Sequence, residues 1–311
     1  MTKYSNISIV ASFFGLWLDS FFSKQFQINL GFLLIFSFGI LHGANDLIIV
    51  EKNNNTKNPF SFIKTLIIYL LIVMISAFLF YFIPWFALLL FILVSAFHFG
   101  EQQWKELISN YPNWICNTIA FTYGLFILLL LFIFHTNEVE NIIFEITKIR
   151  ISPLYIPLLF RLTGYVFLVT CVYSFYKYFD LRGKILNELF YLIVFTIIFK
   201  SSSLIWGFSI YFILWHSIPS ILEQMKFLYT DLSMQNFKIY CKSASLYWLI
   251  SIFGISILYF IFKEQQIFNA IFFSFLAAIT FPHAFVITKM FKKIIDFKKI
   301  TKKNRTISSS V

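Results

Sequence analysis

The sequence predicts an all-α protein, a polytopic transmembrane helical bundle of about 8–10 spans. Three observations predict it. Of 311 residues, 59% are hydrophobic and 13% charged, whereas a water-soluble domain carries roughly twice that charge. The mean hydropathy is +0.79. The apolar residues also fall into runs near the ~20 residues that cross a hydrocarbon core: residues 5–22, 28–50, 62–83, 84–100, 113–135, 153–176, 185–199, 203–224, 244–262 and 267–290.

The first run has no small-residue cleavage site behind a short apolar core, so it reads as a span that carries Asp19, not as a secretory signal. The second holds Leu41-His42-Gly43-Ala44-Asn45-Asp46. The third and fourth meet at Ile83-Pro84, a helical hairpin with almost no loop, and the fourth ends in Phe97-His98-Phe99-Gly100-Glu101. His135 closes the fifth and reads as an interfacial residue. The segment from Glu138 to Ile151 alternates charged and apolar residues and is too short to cross; it predicts an amphipathic helix on the outer surface, apart from any site. The seventh run is the shortest. The eighth contains Trp215-His216-Ser217 and the tenth Phe281-Pro282-His283. Residues 1–290 thus form a single membrane domain, and 291–311 a basic tail.

The net charge of +11 does not call for a nucleic-acid partner, because much of it lies between Lys289 and Arg305, where it suits a cytoplasmic flank on anionic lipid. With the N-terminus inside, the inner loops hold Lys52, Lys57, Lys64, Lys105, Lys177, Arg182, Lys184, Lys226, Lys238 and Lys242. The outer ones hold few basic residues, among them Lys24, Lys148, Arg150, Lys200 and Lys263. This bias orients the chain with a cytoplasmic C-terminus. Cys116, Cys171 and Cys241 are odd in number and lack CxxC spacing, so free thiols are expected. The 44 phenylalanines suit lipid contact and need no further explanation.

Four histidines on four runs share a depth. His42, His216 and His283 each lie about seven or eight residues before the inner end of a span, so at 1.5 Å per residue they sit roughly 10–12 Å from the cytoplasmic boundary. His98 lies within a turn or two of that layer. A single histidine in a span is most often an interhelical hydrogen-bond partner; four at one depth predict a shared metal, held by neutral imidazoles as Fe(II) is. Asp46, Glu101 and Glu223 follow His42, His98 and His216 by one to two turns, so each is placed to orient an imidazole or to act as a ligand. Gly39 and Gly43 have the GxxxG spacing of close helix approach. Pro219 and Pro282 are placed to free carbonyls near two of the histidines, and Trp206, Tyr211, Phe212 and Trp215 either line an apolar cavity or pack.

The stretches around His42, His98, His216 and His283, in this order, resemble the histidine motifs of the Brp/Blh family, membrane-embedded beta-carotene 15,15'-dioxygenases. The resemblance implies non-haem Fe(II), carotenoid and dioxygen as partners in the lipid bilayer, cleavage at the central double bond to retinal, and a bacterial inner-membrane location. It implies His42, His98 and His216 as ligands, with Asp46 beside the first. No nucleic acid and no obligate protein partner are expected. Two positions depart from the family pattern: Ser220 stands where a second histidine follows Trp-His-Ser, and Glu101-Gln102-Gln103-Trp104 follows His-Phe-Gly. The first departure makes His283 or Glu223 the candidate remaining ligand, and it motivates an alternative, a non-catalytic carotenoid- or retinal-binding homologue. A di-iron desaturase requires about eight histidines in paired boxes, and this chain has five. A proton-relaying transporter is weakly disfavoured by the lack of an intramembrane Lys or Arg and of internal repeats.

Overall fold

The computed structural model describes residues 3–54, 59–104, 111–261 and 265–308; Lys57, Lys105 and Lys263 of the orientation argument lie outside them. No strand occurs among the described residues. The helices are α1 (Lys3–Asp19), α2 (Lys24–Leu34), α3 (Ile40–Gly43), α4 (Asp46–Asn54), α5 (Pro59–Phe82), α6 (Pro84–Trp104), α7 (Asn113–Phe134) and α8 (Thr136–Thr147). They continue as α9 (Tyr155–Lys177), α10 (Arg182–Ser201), α11 (Leu204–Tyr211), α12 (Ile218–Tyr229), α13 (Met234–Ile261) and α14 (Gln265–Ser308).

Among the described residues, eight helical stretches are long and apolar enough to cross a membrane. They correspond to all the predicted runs except the first and the seventh. Those two are helical as well. α1 has only 17 residues, and α10 carries Arg182, Lys184, Glu188 and Lys200. The Glu188 carboxylate is buried and accepts from Tyr123 Oη (2.7 Å) and Gln103 Nε2 (2.9 Å), with Lys184 Nζ at 2.9 Å, so a charge that is costly in lipid is paired within the bundle.

α6 and α7 form the closest pair. A Cβ at Gly100 would overlap the Ala120 carbonyl and one at Gly124 the Ala96 carbonyl, so glycine on each side lets the two backbones approach closely. Pro84 starts α6 directly after Ile83, as the hairpin reading requires. The three cysteines are free.

Two helices are interrupted by π-helical turns: Ile35–Gly39 joins α2 to α3, and Phe212–Ser217 joins α11 to α12. The second turn has a local cause. Ile218 N–H bonds to the Ile213 carbonyl, five residues back; in that pattern the next donor would serve Leu214, but the next residue is Pro219, which has no N–H. The Leu214 carbonyl accepts instead from Tyr4 Oη (2.5 Å) and Ser8 Oγ (3.2 Å) of α1. α1 is therefore tied to a helix that carries a histidine.

Candidate metal centre

His42 closes α3, His98 lies on α6, His216 in the second π turn and His283 on α14. All four are buried. Their rings form a closed cycle, with centroids 5.1 Å apart for His42 and His216, 4.8 Å for His216 and His98, 5.0 Å for His98 and His283, and 4.7 Å for His283 and His42. Neighbouring rings are nearly perpendicular, at 80–87°. One nitrogen from each ring lies within 4.8 Å of the other three. Two nitrogens bound to one ion at about 2.1 Å lie at most about 4.2 Å apart, so a small contraction would close the set on one ion.

The hydrogen bonding favours such an ion. Both ring nitrogens of His98 and of His216, together with His42 Nδ1 and His283 Nε2, are buried without a hydrogen-bond partner among the described residues. Each such orphan costs about 1–3 kcal/mol, and a cation shared among the rings satisfies one nitrogen of each ring.

The carboxylates are placed differently from the sequence expectation. Asp46 does not serve His42. Its Oδ1 accepts from His283 Nδ1 at 2.9 Å, and its Oδ2 accepts from Tyr69 Oη of α5 at 3.1 Å. Because Nδ1 keeps its proton to donate it to the carboxylate, Nε2 of the neutral His283 ring carries the lone pair that faces the other rings. Glu101 accepts from Thr288 Oγ1 at 2.6 Å, fastening α6 to α14 beyond the histidines. Glu223 is half-buried on α12 and lies outside both the histidine cluster and the cavity wall.

Ser220 is buried next to the neighbour that sequence reasoning missed, Gln224. Gln224 Nε2 donates to Ser220 Oγ (3.0 Å) and to the His42 carbonyl (2.7 Å), and its Oε1 accepts from Tyr240 Oη (2.7 Å). Gln102 Nε2 donates to the His216 carbonyl at 3.1 Å. Two amides thus hold the backbones of two histidines, and the only sequence signal for them is a glutamine placed within a span. His135 lies outside the cluster, with Nε2 2.9 Å from the Phe199 carbonyl.

An apolar cavity of about 490 Å³ opens onto the four rings. Apart from Phe99, which follows His98, its lining residues on α6 (Leu88, Phe91, Ile92, Ser95), on α11 and the π turn (Leu204, Ile205, Phe208, Phe212) and on α14 (Phe275, Leu276, Ile279, Thr280) all precede the histidine of their helix. The cavity therefore runs from the rings toward the N-terminal ends of those helices. α8 forms part of its far wall through Val139, Ile142 and Ile143, which corrects the expectation that this helix stands apart from the site; its apolar face turns into the bundle. Phe212 lines the cavity, while Trp206, Tyr211 and Trp215 pack in the core.

The family model of beta-carotene 15,15'-dioxygenase matches residues 33–291, most of the chain. The chain belongs to the beta-carotene 15,15'-dioxygenase family. No curated protein and no solved structure matches it. The family match includes all four histidines, Asp46 and the entire cavity wall.

Proposed function

We propose that this member of the beta-carotene dioxygenase family is a non-haem iron enzyme. It splits beta-carotene at its central double bond with dioxygen to give two molecules of retinal. The observation that carries the reading is a ring of four buried imidazoles, with nitrogens lacking any partner, at the end of an apolar cavity.

In this reading His42, His98, His216 and His283 hold Fe(II), and the metal supplies what no side chain has, redox activation of dioxygen toward an electron-rich alkene. The carbon–carbon double bond breaks, each carbon gains one oxygen atom as an aldehyde, and no external reductant enters. Asp46 orients His283, and Tyr69 fixes Asp46. The aliphatic and aromatic wall excludes water and aligns the polyene. Glu101 acts through helix packing and does not touch the reacting atoms. Ser220 favours a second reading, a protein that binds carotenoid or retinal without cleaving it.

One experiment separates the two. Expression in a beta-carotene-producing host is expected to bleach the pigment and yield retinal, with about one iron per purified chain. His42→Ala is expected to lose both. Unchanged pigment copurifying with iron-free wild-type protein would establish the second reading instead.

A further inference from the structure

The described residues that line the cavity are buried or half-buried, with two exceptions. Leu70 on α5 is 52% exposed and Ile250 on α13 is 61% exposed. A side chain that faces both an internal cavity and the surroundings marks an edge between them. Both lie within apolar spans, Phe62–Phe82 and Met234–Ile257, so the medium at that edge is lipid hydrocarbon. α5 and α13 are also the least buried of the eight spans. The packing of α5 goes chiefly to α14, α6 and α4, and that of α13 to α3, α14 and α12.

Gly254 lies one turn beyond Ile250 and lines the same cavity. Among the described residues, a Cβ built on it meets no atom within 4 Å, whereas the other two cavity glycines are hemmed in: at Gly39 it would overlap Phe212, and at Gly43 it would touch the His283 ring. Neither a turn nor a close helix crossing accounts for a glycine at 254, and mid-helix it costs roughly 1 kcal/mol relative to alanine. What it leaves is open space at the lipid edge of the cavity. The opposite end is closed by the buried residues Leu131, Val139, Leu204 and Ile205. Among the described residues no Lys or Arg lines the cavity, so the anionic head of a lipid or fatty acid finds no counter-charge there, and an uncharged hydrocarbon chain fits.

We propose that the gap between α5 and α13 is a lateral portal, through which a polyene dissolved in the bilayer passes to the histidines, and that Gly254 sets its width. The portal rests on the carotenoid-binding reading above. The test uses full-length protein in phosphatidylcholine vesicles containing beta-carotene, with the series Gly254→Ala, Gly254→Leu and Gly254→Trp. Leu246→Trp, on a lipid-facing position of α13 outside the cavity wall, is the control. Three quantities are read: initial retinal formation, pigment retained per chain after transfer to carotene-free vesicles, and iron per chain.

Rate and pigment loading are expected to fall stepwise with side-chain volume, by about tenfold or more at tryptophan, while iron content and the control stay at wild-type levels. A flat series overturns the portal. Should the tryptophan variant fail to accumulate, the alanine and leucine steps decide. Wild-type protein that retains beta-carotene without cleaving it removes the dioxygenase reading alone and leaves pigment loading to test the portal. Wild-type protein that neither retains nor cleaves it removes both.

Discussion

At the scale of single residues, histidine was informative because an apolar span has so little use for it. Four such residues at one depth were enough to suggest a ring. Their partners were harder to read. Asp46 stands four residues after His42, a spacing that shares a face in an unbroken helix, yet α3 ends at Gly43 and α4 begins at Asp46. The break at Ala44-Asn45 turns the carboxylate toward α14, and no local pattern announces that. Asp46→Asn is expected to lower iron affinity about 10–100-fold, the usual cost of losing an outer carboxylate, and Tyr69→Phe by less, both measurable by iron titration of purified protein. Ser220→His is expected to leave iron per chain unchanged or reduced, because a ring there displaces Gln224 from the His42 carbonyl. An increase in bound iron would show instead that Ser220 occupies a vacated ligand position.

At the scale of elements, run length and composition predicted the helices, because twenty apolar residues leave the backbone few other ways to satisfy its hydrogen bonds in lipid. The π turns were not visible, since they depend on how the helix is wound and not on which residues it contains. Pro219 hinted at free carbonyls but not at Tyr4 and Ser8 as their partners. α8 showed its two faces in the sequence, but which one turns inward depends on the packing of distant helices. The α6–α7 crossing gives a direct test. Gly100→Ala places a methyl group against the Ala120 carbonyl and is expected to destabilise by about 1–3 kcal/mol or more. Gly183→Ala, whose Cβ meets nothing within 4 Å, serves as the control in thermal unfolding in detergent.

At the scale of the whole molecule, the cavity is what the sequence did not disclose. Its walls come from helices far apart along the chain, and a leucine that lines it looks the same as one that faces lipid. Its depth is consistent with the proposed chemistry. Leu88 precedes His98 by about 15 Å of helix, and Leu204 precedes His216 by about 18 Å, close to the reach of half an extended carotene. A blind arm of that length places the middle of a symmetrical polyene at the rings. Ile142→Trp, which shortens the arm from α8, is expected to depress retinal formation about tenfold with iron content intact, measured by product chromatography and metal analysis of the same preparation.

The π turn that holds His216 has a further consequence. It holds one surplus residue relative to an ordinary helix, and winding the same residues as a regular helix would add that residue's rotation to the coil. Everything downstream would then swing by about 100° relative to what precedes it. That would be the better-formed helix, yet its imidazole would no longer meet the other three. Local regularity has been given up here so that one ring can point the right way.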